Sequence, residues 1–176
     1  MTDDGDARAL ILVEGISDRI ALRTTAAARG RDLDADRVRI EPIGGAHAIG
    51  RYLRDLGPAA ARLRVVGLCD RQEQWTFRAH LPADRYFVCD RDLEEELIRA
   101  VGVACVEELF AAERDLDRFH LFRSQPAWRG RPIEAQMHRF VRSSSRRNLR
   151  YAHLLAAAAA RRDTRPGPLA ALLDAV

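Results

Sequence analysis

Apolar positions along the chain follow two rhythms. Short runs at 10–13, 38–43, 63–69 and 86–89 have the length of strands; the first is four consecutive aliphatics, as expected of a strand buried on both faces of a parallel sheet. Between the first three runs, residues 18–29 and 48–56 repeat apolar positions at helical spacing. That alternation predicts right-handed β-α-β crossovers. Gly15 permits a tight turn into the first helix, with Ser17 as its expected N-cap. A shorter link, 72–84, precedes the fourth run. Beyond Asp90 the pattern turns helical: Leu93, Leu97, Ile98 and Val101 share a face, and 106–110 continues it. A connector, SQPAWRGRP, leads to helices at 133–142 and 148–161, and RPGP breaks the chain before a last short helix at 169–175. The expected fold class is α/β: a four-stranded parallel sheet with helices on both faces over 7–113, then a basic helical C-terminal extension over 114–176 packed on it.

The strand ends carry the chemistry. The first run ends in Glu14, the third in Asp70 and the fourth in Asp90, with Asp92 and Glu94 just beyond; Cys-Asp-Arg occurs at both 69–71 and 89–91. In a parallel sheet every strand ends on one edge, and ligands bind there. Carboxylates gathered on one rim repel one another unless a cation neutralises them, and hard oxygen donors suit Mg²⁺ or Mn²⁺. Each acid has a plainer use, since Asp18, Asp92 and Glu94 all stand where they can cap or charge-stabilise a helix N-terminus. Glu14 is hardest to explain that way, because it precedes the glycine turn.

Charge adds a partner. Phe119 to Arg165 holds eleven arginines against Glu134 and Asp163, a local +9 in a chain of net +3, so the remainder is −6. An acidic α/β half joined to a basic helical half points to a polyanion. The 176 residues, 47% hydrophobic, can bury one core. No apolar run approaches the ~20 residues of a membrane span, and MTDDGDAR is acidic where a secretory signal is basic, so a cytoplasmic location is expected. Cys69, Cys89 and Cys105 lack Cys-x-x-Cys spacing and are expected as small core residues. The glycines of IGGAHAIG lack the dinucleotide-binding spacing; Gly44 and Gly45 are expected to turn the backbone beside the rim, with His47 in solvent.

Three segments together resemble a TOPRIM domain, the module shared by topoisomerases, primases, recombination proteins and OLD-family nucleases: LVEGISD with Glu14, Gly15 and Asp18, then IGGAHAIGRYL, then VVGLCD with Asp70. The resemblance covers about 7–101 and is nearest the OLD branch, with Asp92, Leu93 and Glu94 matching its acidic element after the fourth strand. It implies a TOPRIM-like sheet and a metal-dependent nuclease, leaning to a Mg²⁺-dependent endonuclease. Glu14 and Asp70 would anchor one Mg²⁺ (or Mn²⁺), and Asp18, Asp92 and Glu94 would form or support a second position. The family also uses a basic residue from the C-terminal side, for which Arg147 and Arg150 are the catalytic candidates. Where the family has Asp-x-Asp, this chain reads Asp70-Arg71-Gln72, with Glu73 or the Asp92/Glu94 pair as compensation. No nucleotide-binding Gly-x-x-x-x-Gly-Lys motif is present, so any ATPase partner is expected to be a separate protein. The expected partner is nucleic acid, DNA before RNA, and a homo-oligomer is left open. The alternatives are a catalytically weak or inactive nucleic-acid-binding subunit and a small-molecule phosphotransfer or hydrolase domain.

Overall fold

The computed structural model describes residues 7–164 and 166–176. Residues 1–6, on which the signal-peptide argument partly rests, and Arg165 within RPGP lie outside that range. Four parallel strands, β1 (Ala9–Val13), β2 (Val38–Pro42), β3 (Arg64–Asp70) and β4 (Tyr86–Cys89), form one sheet in the order β2-β1-β3-β4. The unbroken apolar run of β1 has its reason here: β1 is flanked by β2 and β3, and all five of its residues are buried.

Its side chains alternate between two cores. Ala9, Ile11 and Val13 face a large cluster with Ala21 and Leu22 of α1 (Ile16–Ala28), Leu97 of α4 (Leu93–Val101), Leu155 of α8 (Ser145–Arg161) and Leu172 of α9 (Gly167–Asp174). Leu10 and Leu12 face a smaller one, with Ile49 of α2 (Ile49–Leu56) and Phe77 of α3 (Gln74–Arg78). Helices therefore cover both faces. Gly67 in β3 lets Phe77 lie on the sheet, since a Cβ there would meet the Phe77 ring at 2.5 Å.

The C-terminal half completes the larger core. Phe110 of α5 (Val103–Ala112), Phe119 of α6 (Leu116–Ser124), Phe140 of α7 (Ile133–Val141) and Tyr151 of α8 interlock, with ring centroids 4.9–5.3 Å apart. Sequence periodicity missed α3 and α6. Polar residues dilute α3, while in α6 only Phe119 is fully buried. No helix among the described residues is long and apolar enough to cross a membrane.

Topology sets the position of the site. The chain leaves β1 toward β2 on one side and leaves β3 toward β4 on the other, so the crevice between the carboxyl ends of β1 and β3 is a topological switch point. Glu14 and Asp70 stand at those two ends.

Candidate metal centre

Glu14 directly follows β1, and its Oε1 accepts a hydrogen bond from the Asp70 backbone N–H at 3.0 Å. The loop after β2 passes close by, the Gly45 N–H donating to the Glu14 carbonyl at 2.9 Å. Gly44 and Gly45 have φ of 77° and 105°, conformations that a side chain would strain. Asp18, in the first turn of α1, accepts from the Gly15 N–H at 2.7 Å. It is this carboxylate, three residues on, that ties down the helix start; Gly15, not Ser17, is the N-cap. Asp92 caps α4, accepting from the Glu95 N–H at 3.0 Å, so the plain and the chemical uses of these acids coexist.

Asp70 feels the charges of the other four predicted metal-binding acids. Among the described residues, however, the group whose ligand atoms converge closely enough for one ion is Asp92, Glu94 and His138, and it leaves out Glu14, Asp18 and Asp70. Burial, and then the charges of Glu14, Asp18, Asp92 and Glu94, push Asp70 up to about 8. Burial and the same surroundings push Asp18 up to about 7. Glu14 is raised by burial and then by Glu73, against the backbone hydrogen bonds from Asp70 and Ala46. Glu94 is raised by burial and by Asp92. Burial leads in every case, and neighbouring acids with too little counter-charge add to it. Asp90 takes no part: it is exposed, its carboxylate pairs with Arg71 at 2.6 Å, and its N–H donates to the buried Glu96.

Comparison with known proteins bears on the fold. Residues 7–71 match the family model described as "Overcoming lysogenization defect protein-like, TOPRIM domain". Residues 7–71 are thus similar to an OLD-like TOPRIM domain, and the fold is that of OLD C-terminal regions. Among solved structures, it is similar to the C-terminal region of the Burkholderia pseudomallei OLD protein, at 18% identity and a TM-score of 0.66, with 96% of each chain covered. It is also similar to the C-terminal region of the Xanthomonas campestris pv. campestris OLD protein, at 23% identity and a TM-score of 0.63, over 96% of this chain and 94% of that one. No curated protein matches the sequence.

The TOPRIM match ends just past Asp70, and the structure supplies the rest of the site. Asp92, Glu94 and His138 are buried and offer ligand atoms that all lie within 4.8 Å of one another. His138 Nε2 is 2.6 Å from Asp92 Oδ2, the Arg142 guanidinium donates to the same oxygen, and Arg142 Nε lies 3.9 Å from Glu94. Burial raises Asp92, but the His138 hydrogen bond, the Glu95 N–H and the Arg142 charge outweigh it and hold this carboxyl below its ordinary range. Asn148, in the first turn of α8, lies close enough to Glu94 to favour its charged form.

The structure brings Arg147 and Arg150 to a different acid. Asp115, fully buried between α5 and α6, takes Arg147 at 3.5 Å, Arg118 at 3.3 Å, the Tyr151 hydroxyl at 3.2 Å and Arg150. Arg147 also lies over the Phe140 ring at 4.1 Å, and Arg150 pairs with Glu113. Among the described residues the arginine in ion-pair contact with Asp92 and Glu94 is Arg142, which the sequence showed only as part of a basic run, and His138 was not singled out at all. A signal was present: His138 and Arg142 are four residues apart, one turn on the same face of α7, beside the buried Met137 and Val141. Gln72 is exposed in the turn after β3, and neighbouring Glu73 acts on Glu14 electrostatically. His47 is exposed, with Nε2 3.6 Å from Glu73. The cysteines are buried, and burial followed by nearby acids pushes the Cys69 thiol up to about 12, so it is no nucleophile.

Proposed function

We propose that this TOPRIM domain is the catalytic module of a divalent-metal-dependent nuclease that hydrolyses phosphodiester bonds, with Mg²⁺ or Mn²⁺ as cofactor and DNA as the leading substrate. One observation carries the reading: carboxylates from the ends of β1 and β3 and the starts of α1 and α4 gather at a topological switch point, where burial and then their mutual repulsion raise the proton affinity of Asp70 and Asp18, while His138 and Arg142 keep Asp92 charged. A cation removes that conflict, and the carboxylate oxygens of Glu14, Asp18 and Asp70 are donors of the kind a hard one would draw together. When bound there, it supplies Lewis-acid stabilisation of the phosphoryl oxygens and acidifies water.

The chain's own groups do the rest. The Asp70 and Ala46 N–H groups fix Glu14 so that its carboxylate keeps one orientation. Arg142, 44% exposed at its side chain, keeps guanidinium surface free for a phosphate oxygen while anchored on Asp92. His138, beside the same oxygen, can hold or release a proton where the leaving group departs. Asp115 binds Arg147 and Arg150 and through them fastens α8 beside α6, and that is a positioning role.

Calorimetric Mg²⁺ titration of wild type and Glu14→Ala, with nicking of a supercoiled plasmid, tests the proposal. Wild type binds and nicks, while the variant remains folded by circular dichroism and does neither. Nicking retained by Glu14→Ala and Asp70→Ala alike would sink it. A non-catalytic binding subunit, favoured by Gln72 standing where the family has an acid, predicts no Mg²⁺ binding by wild type.

A further inference from the structure

Next to the carboxylates the fold leaves a cavity of about 300 Å³ lined by Arg91, Trp128, Ala135, His138, Arg139 and Arg142. Its lining holds three guanidinium groups and no carboxylate. Asp92 anchors His138 and Arg142 from behind. Arg91 and Arg139 are exposed, and among the described residues neither has a carboxylate within ion-pair distance.

The cavity is built on two parallel rows of α7. Ala135 and Arg139 make one row and His138 and Arg142 the other, each pair one turn apart, and Ala135 leaves the space that a larger side chain would fill. The facing wall is the Trp128 indole. It is held in place by its carbonyl, which accepts from Gln136 Nε2 at 2.8 Å, and by Phe122, whose ring centroid lies 5.2 Å away. Cations set side by side around an opening repel one another until an anion enters, and guanidinium forks match phosphate oxygens.

We propose that this cavity binds an internal phosphate of the nucleic-acid strand, adjacent to the phosphate at the carboxylates, with the attached sugar against Trp128. The inference rests on the nuclease reading, because His138 and Arg142 belong to both the cavity and the Asp92 group, so a strand running through one meets the other. Arg91 and Arg139 read the strand by charge, without preference for sequence.

The test is the double variant Arg91→Ala with Arg139→Ala, two exposed positions outside the carboxylate site. Fluorescence anisotropy with labelled duplex in Ca²⁺, at several salt concentrations, should show the slope of log affinity against log salt flattened by about 0.9, the release from one duplex phosphate. The plasmid-nicking KM should rise about tenfold or more, with kcat and Mg²⁺ affinity unchanged. An unchanged slope and KM overturn the proposal. So does an effect confined to 5′-phosphorylated ends, which would make the cavity a terminal-phosphate site. Because the slope is read without turnover, it reports on the cavity even if the protein never cleaves. A wild type that nicks while the variant's slope is unchanged removes the cavity alone and leaves the nuclease standing.

Discussion

Replacing Asp70 by Asn should make the metal-free protein more stable, and more so as pH rises. In the unfolded chain Asp70 loses its proton near 3.8, whereas in the fold it keeps it until about 8. Between those values the folded state binds more protons than the unfolded state, so stability falls with increasing pH. At 1.36 kcal/mol per unit, the gap sets a ceiling of about 6 kcal/mol at pH 8. Asp70 is only half-buried, and water and the neighbouring acids relax around it. About 1–3 kcal/mol of destabilisation is therefore expected, or roughly 3–10 °C in Tm for a chain of this size. Asn keeps the shape and removes the charge. Thermal unfolding in EDTA from pH 4.5 to 8.5 should show wild type and Asp70→Asn closest at the acid end and separating toward the alkaline end, the variant higher. Acids with lowered values, such as Asp92 and Asp115, titrate in both proteins and cancel in the difference. A gap independent of pH, or a variant less stable at pH 8, would refute the reasoning. Saturating Mg²⁺ should reverse the order, since only wild type then gains the full carboxylate set.

Three further outcomes follow from other parts of the molecule. Gln72→Asp, in the exposed turn after β3, should tighten Mg²⁺ binding by calorimetry, because an anionic oxygen replaces an amide; weaker binding would mean that Glu73 or another group already fills that position. Asp115→Asn should cost about 2–4 kcal/mol in urea unfolding by leaving Arg147 and Tyr151 without their buried acceptor, whereas Tyr151→Phe should cost only about 1 kcal/mol. Gly67→Ala should cost about 1–3 kcal/mol by driving a Cβ into the Phe77 ring, and Phe77→Leu in the same chain should recover part of that loss.

The sheet was legible in the sequence because its two central strands, β1 and β3, are buried on both faces and appear as apolar runs, while the edge strand β2 shows the alternation of a half-covered one; the 86–89 run coincides with β4 and the others lie within a residue or two of their strands. Parallel topology then brought Glu14 and Asp70 to one edge, although they are far apart along the chain. Local pattern also placed Asp92 correctly at a helix start. Reasoning along the chain had no means of choosing among the arginines. Arg142, Arg147 and Arg150 look alike in a basic run, and what separates them is which buried acid each one meets, Asp92 or Asp115, a matter of how α7 and α8 pack. Asp115 itself reads as an ordinary loop acid before α6. Its importance lies in contacts more than thirty residues away in the chain.

That knot around Asp115 has a consequence for mutational surveys of this domain. It fastens α8 through Arg147, Arg150 and Tyr151, and α8 is also the helix whose Asn148 lies close to Glu94 and whose body packs on α1, the carrier of Asp18. A lesion at Asp115 would let α8 shift and would loosen two of the five acids at once. In a screen for lost cleavage it would look like a catalytic mutation, though it touches neither metal nor strand. Its mark would be partial rescue by lower temperature or stabilising osmolyte, which no Glu14 or Asp70 substitution should show.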